Sequence, residues 1–172
     1  MITTLQSRLI VFWRGCIGLF EKIPYSLIAF FARFSVAAVF WQSGQTKIDG
    51  FALNLISGDI EIGWPKMSEG TFELFQSEYA LPVLSPEFAA YMAATAEHLF
   101  PLLLLIGLMT RFSALALLGM TVVIQIFVYP DAYATHGTWA AIFLYLMIFG
   151  PGKCSLDNFF FGRKSMKAMT EG

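Results

Sequence analysis

Charge is what this sequence has least of. Of its 172 residues only 13% are Asp, Glu, Lys or Arg, where a soluble domain carries roughly 25%. With 57% hydrophobic residues and a mean hydropathy of +0.65, the composition is that of an integral membrane protein. Cysteine is scarce as well. Cys16 and Cys154 stand in no metal-binding spacing, and two isolated thiols make no disulfide framework. Net charge is −1, so no basic excess points to nucleic acid. There is no Gly-rich phosphate loop, no Ser/His/Asp set and no CxxC pair. Internal repeats and low-complexity tracts are missing too. The N-terminal stretch has no compact apolar core followed by a small-residue cleavage site, so no signal peptide is expected.

Long apolar runs are what the chain does have. A helix needs about 20 residues to cross the hydrocarbon layer. Four segments qualify: Tyr25 to Gly44, Ala89 to Met109, Phe112 to Val128, and the shorter, aromatic-rich Thr135 to Gly150. Only Thr110 and Arg111 separate spans two and three, which predicts a tight helical hairpin. Pro130 and Pro151-Gly152 close spans three and four. Ahead of them Leu5, Leu9, Phe12, Trp13, Ile17 and Phe20 recur at helical spacing, with Arg8 and Arg14 among them. That pattern predicts an interfacial helix over residues 4–20, lying along the membrane surface. Residues 45–88 are too long for a plain connector. Phe51, Leu53, Leu55, Ile56, Trp64-Pro65 and the Phe72 to Phe75 stretch predict a small cap of one or two short helices. Residues 151–172 form a tail. The fold class is therefore an all-α membrane protein: one four-helix transmembrane bundle, an N-terminal interfacial helix, and a small extracytoplasmic cap between the first two spans.

The placement of Lys and Arg sets the orientation. Arg8, Arg14, Lys22, Arg111, Lys153, Arg163, Lys164 and Lys167 fall on one side of the four spans; only Lys47 and Lys66 fall on the other. Both termini are expected in the cytoplasm, with the 45–88 segment outside. Both cysteines then lie on the reducing side, as free thiols would.

A few polar side chains interrupt the spans. Counted from the cytoplasmic ends, Arg33 lies about 12 Å deep, Glu97 about 18 Å and Gln125 about 19 Å. A lone charge at the bilayer centre costs about 3 kcal/mol or more, so such groups face the bundle interior and pair. Glu97 is expected to pair with Arg33, either as a structural latch or as part of a polar pocket that Gln125 and His98 could join. His98 points about 100° away from Glu97 and reads first as a satisfied structural histidine. A polar mouth is expected at the opposite ends of the spans, from Gln42, Lys47, Asp131 and His136, with interfacial tyrosines as the plainer reading. His98 and His136 lie at different depths, so bis-histidine haem ligation does not fit. The eight methionines are scattered through core positions, and no metal site is expected.

Several short motifs, in order, resemble the DoxX family of small bacterial membrane proteins. They are Arg33, Gly44-Gln-Thr-Lys47, Glu97, Gly107-Leu-Met-Thr-Arg111, Tyr129-Pro-Asp131, His136-Gly137-Thr-Trp139, and the run from Gly150-Pro-Gly to Asp157. The likeness spans about Ala32 to Asp157. It implies a four-helix bundle. Some relatives are linked to thiosulfate:quinone or quinol oxidation, some to a mycobacterial complex against oxidative stress, and others lie beside copper- or gold-induced genes. The Tyr129 to Trp139 stretch looks most like that last group. The resemblance assigns no catalytic residue.

Two readings follow. In one, the protein is a redox-associated accessory subunit without catalysis of its own, with a quinone near Arg33 and Glu97 walled by Trp41, Phe127 and Tyr145. In the other, it is a non-catalytic membrane component of a copper or oxidative-stress system. It would then act as a docking or transport partner through its acidic outer segment, toward membrane or periplasmic proteins. Homo-oligomerisation is left open by the sequence.

Overall fold

The computed structural model describes residues 2–54 and 58–162. Leu55, Ile56, Arg163, Lys164 and Lys167 lie outside the described residues. Helix α1 (Ile2–Phe20) precedes α2 (Tyr25–Gln45). A hairpin of β1 (Ile48–Asn54) and β2 (Asp59–Met67) follows, then the short α3 (Glu69–Ser77). Next come α4 (Pro86–Ile106), α5 (Thr110–Phe127), a 3-10 turn at Pro130–Ala132, and α6 (Tyr133–Phe149). Four stretches are long and apolar enough to cross a membrane: α2, α4, α5, and the 3-10 turn with α6.

Helix ends follow local chemistry. Pro86 sits in the first turn of α4, where its missing N–H costs nothing. That starts α4 three residues before the expected Ala89. Gly107 closes it in the left-handed conformation at φ +70°, ahead of the expected Met109. A Cβ there would also meet Ser155 Cβ at 2.5 Å. Asp157 then caps α5: Oδ1 accepts from Met109 N (2.8 Å) and Oδ2 from Thr110 N (2.9 Å). Two of the unpaired N–H groups at that helix start are thereby satisfied.

The spans pack as antiparallel neighbours, α2 against α4 and α5 against α6. Val36, Ala37 and Phe40 of α2 meet Leu104, Ala114, Leu117, Phe143 and Leu146 in one core. A second cluster seats Phe75 of α3 on Ala89, Ala90 and Ala93, whose small side chains let it approach α4 closely. Leu99, Leu102, Leu115, Val122, Ile126 and Ile148 stay exposed, as a face turned to hydrocarbon requires. Along α1, the side chains of Leu9, Phe12, Trp13, Ile17 and Phe20 are exposed as well.

The cap differs from expectation. It holds one short helix and a β-hairpin, so the fold is mostly helical with a small two-stranded sheet. Phe51 pairs with Ile62 and Leu53 with Ile60, a period-two arrangement that a helical reading of Phe51, Leu53 and Trp64 overlooks. The hairpin is tied to α2 by Trp41 Nε1 donating to Leu53 O (3.0 Å) and Leu53 N donating to Gln45 Oε1 (2.7 Å).

Candidate functional site

Glu97 is buried on α4, and its partner is Lys47, not Arg33. Lys47 Nζ lies 2.6 Å from Glu97 Oε2. It also donates to Ser43 O (3.2 Å) and Ser43 Oγ (3.1 Å), so its three N–H groups are all engaged. The Ser43 hydroxyl donates to Glu97 Oε1 (3.1 Å). Lys47 follows the last turn of α2 and folds back along it. Its own carbonyl is held by Ser68 N (3.1 Å) and Thr71 Oγ1 (3.1 Å). Helix register explains the pairing. Gly44 abuts His98 and Glu97 so closely that an added Cβ would lie 2.9 Å from His98 Cε1. That contact sets the level of Glu97 at Ser43. Pro101, four residues further along α4, has no N–H for the carbonyl of Glu97.

Arg33 sits about 10 Å further down the bundle, level with the end of α4. Its Nη1 donates to Leu104 O (2.9 Å) and Leu105 O (3.1 Å), and its Nη2 to Cys154 O (2.6 Å). The last carbonyls of a helix lack intrahelical donors and carry partial negative charge, so a cation is at home there without a carboxylate. The expected Arg33–Glu97 pair assumed span ends that coincide in depth. They do not.

The remaining candidates divide. Lys47 and His136, expected at an open mouth, are both buried. Gln42 and Asp131 are exposed. Gln125 Oε1 accepts from His136 Nδ1 (2.7 Å), while Gln125 Nε2 donates to Pro130 O (2.6 Å). This arrangement makes Nδ1 the protonated nitrogen and leaves His136 Nε2 a lone pair. His98 lies on another side of α4. Its Nδ1 donates to Ala94 O (2.7 Å), its Nε2 accepts from Gln45 Nε2 (2.9 Å), and Trp41 packs edge-on at 5.1 Å. Every polar atom of that ring is satisfied, which is a structural role.

Glu97, Lys47, Ser43 and His136 share one half-enclosed cavity of about 470 Å³ between α2, α3, α4, α5 and α6. Its walls are otherwise mostly apolar, with Phe40, Phe75, Phe100 and Trp139 among them. Trp41, Phe127 and Tyr145 are not part of the lining. Tyr145 instead packs on Tyr25 and Phe149, and Tyr25 donates to Gly150 O (2.6 Å). Tyr79 and Tyr129 border the cavity. Tyr129 donates to Glu78 Oε1 (2.6 Å) and accepts from Tyr79, 2.9 Å away. Hydrogen bonds to Glu78 and then Tyr79 push the Tyr129 hydroxyl above the usual phenol range. Ser43 and Tyr79 were not singled out from the sequence. The four-residue spacing of Ser43 and Lys47 across the end of α2 is the signal that points to the first.

No group of three metal-ligating side chains gathers among the described residues. What the buried polar cluster around Glu97 offers is acceptors: spare lone pairs on the Glu97 carboxylate and on His136 Nε2.

A bundle of four apolar helices around a buried ion pair defines a polytopic membrane protein. Residues 28–130 match the DoxX family, and the chain belongs to that family. Searches of curated proteins and of solved structures found no match.

Proposed function

We propose that this DoxX-family protein is an accessory subunit that holds a quinone-class ligand in the cavity beside Glu97, without catalysis of its own. The observation that carries the reading is the donor–acceptor inventory. The Lys47 ammonium is fully engaged by Glu97 and Ser43. The buried charged and imidazole groups left to address a ligand, Glu97 and His136, are therefore acceptors, which suit the hydroxyls of a quinol better than the carbonyls of a quinone. Phe40, Phe100 and Trp139 supply flat apolar surface for a ring. The membrane is read as a bacterial inner membrane, with the hairpin end outside and the termini in the cytoplasm.

The second reading is a docking partner in a copper or oxidative-stress system. It draws on the acidic hairpin end, where Glu69, Glu73, Glu78 and Glu87 stay exposed.

The test is organic-solvent extraction of the protein, purified in mild detergent from a bacterial membrane, followed by ultraviolet spectroscopy. A quinone chromophore should appear in near-equal amount with the wild type and fall several-fold in Glu97→Gln of unchanged oligomeric profile. A wild-type extract without the chromophore, even after quinol is added before purification, would sink the quinone-class reading and leave the docking one.

A further inference from the structure

The cavity is half enclosed, and the places where its lining stays exposed are informative. On the α2 and α6 side no lining residue is exposed: Phe40 of α2, Lys47 just past it and His136 of α6 are buried, and Val39, Ser43 and Trp139 are partly buried. At the hairpin end the cavity has a roof. Phe75, itself buried, and Tyr79 cover the cavity, and Tyr79 and Glu78 are joined to Tyr129 by hydrogen bonds. The lining residues that keep substantial exposure are Leu84, Met92, Val123 and Tyr129. Two of these, Met92 (51% exposed) and Val123 (37%), sit within the spanning helices α4 and α5. Met92 lies about 9 Å along α4 from Pro86, and Val123 about 6 Å back from the end of α5. The two helices run antiparallel from their shared turn, so these residues stand at similar depth on facing helices. Ala96 and Ala116, also in the lining, put no bulky side chain between the cavity and that flank. That flank is the lipid-facing surface of the bundle, where Leu99, Leu115 and Val122 are exposed as well.

We infer that the cavity opens sideways into the bilayer between α4 and α5, and that its ligand is a membrane-dissolved amphiphile. The ligand's hydroxyl-bearing head lies at Glu97 and His136, and its apolar chain passes between Met92 and Val123 into the lipid. A water-borne ligand would have to pass the Phe75 and Tyr79 roof or squeeze past its edge at Leu84 and Tyr129. A lipid-borne one meets no polar barrier, and the opening lies about 7 Å along α4 from Glu97. The inference rests on the proposed reading for the ring of the head. The chain and its route rest on the exposure and placement of Met92 and Val123 alone, so an acyl lipid with a hydroxylated head group has the same chemistry.

The test uses the full chain in nanodiscs, with Met92→Trp and Val123→Trp combined to fill the opening. Both positions are exposed, and a melting curve checks that the fold survives. The probes are a decyl-substituted dimethoxy-methyl hydroquinone and the same ring without the chain. The doubly substituted protein should bind the chainless ring within about twofold of wild type. It should lose about tenfold or more for the decyl ring, the worth of about two buried methylenes. Unchanged affinity for the decyl ring would overturn the inference, and so would an equal loss for both rings. If the wild type binds neither ring, the quinone-class reading fails, and mass spectrometry of retained lipid decides the route. A phospholipid kept by the wild type and lost from the filled variant supports the side opening. No retained amphiphile in either protein refutes it.

Discussion

Lys47 changes meaning once its partner is known. Taken from the sequence it is a loop lysine just past a membrane span; in the fold it is a buried cation held by Glu97 and the two oxygens of Ser43. Removing one member of a buried pair leaves the other charge without a partner, at about 3–5 kcal/mol in soluble proteins. Lys47→Met and Glu97→Gln should each lower the melting temperature in detergent. The double variant should be less damaged than the sum, because neither charge is then left alone. Arg33→Met combined with Glu97→Gln should instead add within about 0.5 kcal/mol, since their partners are separate and about 10 Å apart along the bundle. Strong coupling between Arg33 and Glu97 would contradict the register described here. The sequence showed which residues are costly to bury. It could not show who pairs with whom, because that depends on how far α2 slides along α4, and the Gly44 contact with His98 and Glu97 sets the slide.

Among the elements, the spans were the most legible. Each rests on composition over about 20 residues, and tertiary detail moves its ends only by a turn or less. Gly107 and Pro86 did move them, through a left-handed cap and a proline in the first turn. The cap was less legible, because β1 and β2 are short and carry aromatic residues that suit either period. The junction of α3 with the end of α5 yields a pH prediction. Tyr129 donates to Glu78, and its hydroxyl titrates above the usual phenol range. A group whose folded-state pKa is raised contributes stability that is fully present below its unfolded value, about 10, and is lost as pH rises through the folded value. The gap in melting temperature between wild type and Tyr129→Phe should therefore hold steady up to about pH 9 and shrink above about pH 10. The contribution is modest, since Tyr129 is partly exposed and solvent screens it. A gap that widens with alkaline pH would show that the phenol proton is not donated to Glu78.

For the whole molecule, the orientation gains from the Lys47 assignment. With Lys47 paired inside the bundle, Lys66 is the one described lysine or arginine of the hairpin end left to count against the basic residues of the other side. A cysteine placed at Glu61, exposed on β2, should react with an impermeant maleimide in intact spheroplasts, while Cys154 should not. Labelling of Cys154 alone would reverse the topology and put the cavity's roof in the cytoplasm. The family and the membrane class could be read from residue order and hydropathy. The cavity could not, because its walls come from five helices whose lining residues are ordinary alanines, leucines and aromatics.

The proposed ring-bearing ligand would occupy the space beside Glu97 and His136. The direct measurement is photolabelling of the full-length protein with an azidoquinone in its reduced form, with labelled positions mapped by peptide mass spectrometry. Label should fall on α4 between Met92 and Phe100 and on the first turns of α6 from His136 to Trp139, and excess unmodified quinol should compete it away. Label confined to α1, to the β-hairpin, or to the Trp41 and Tyr145 surfaces would rule out a ligand in the cavity beside Glu97.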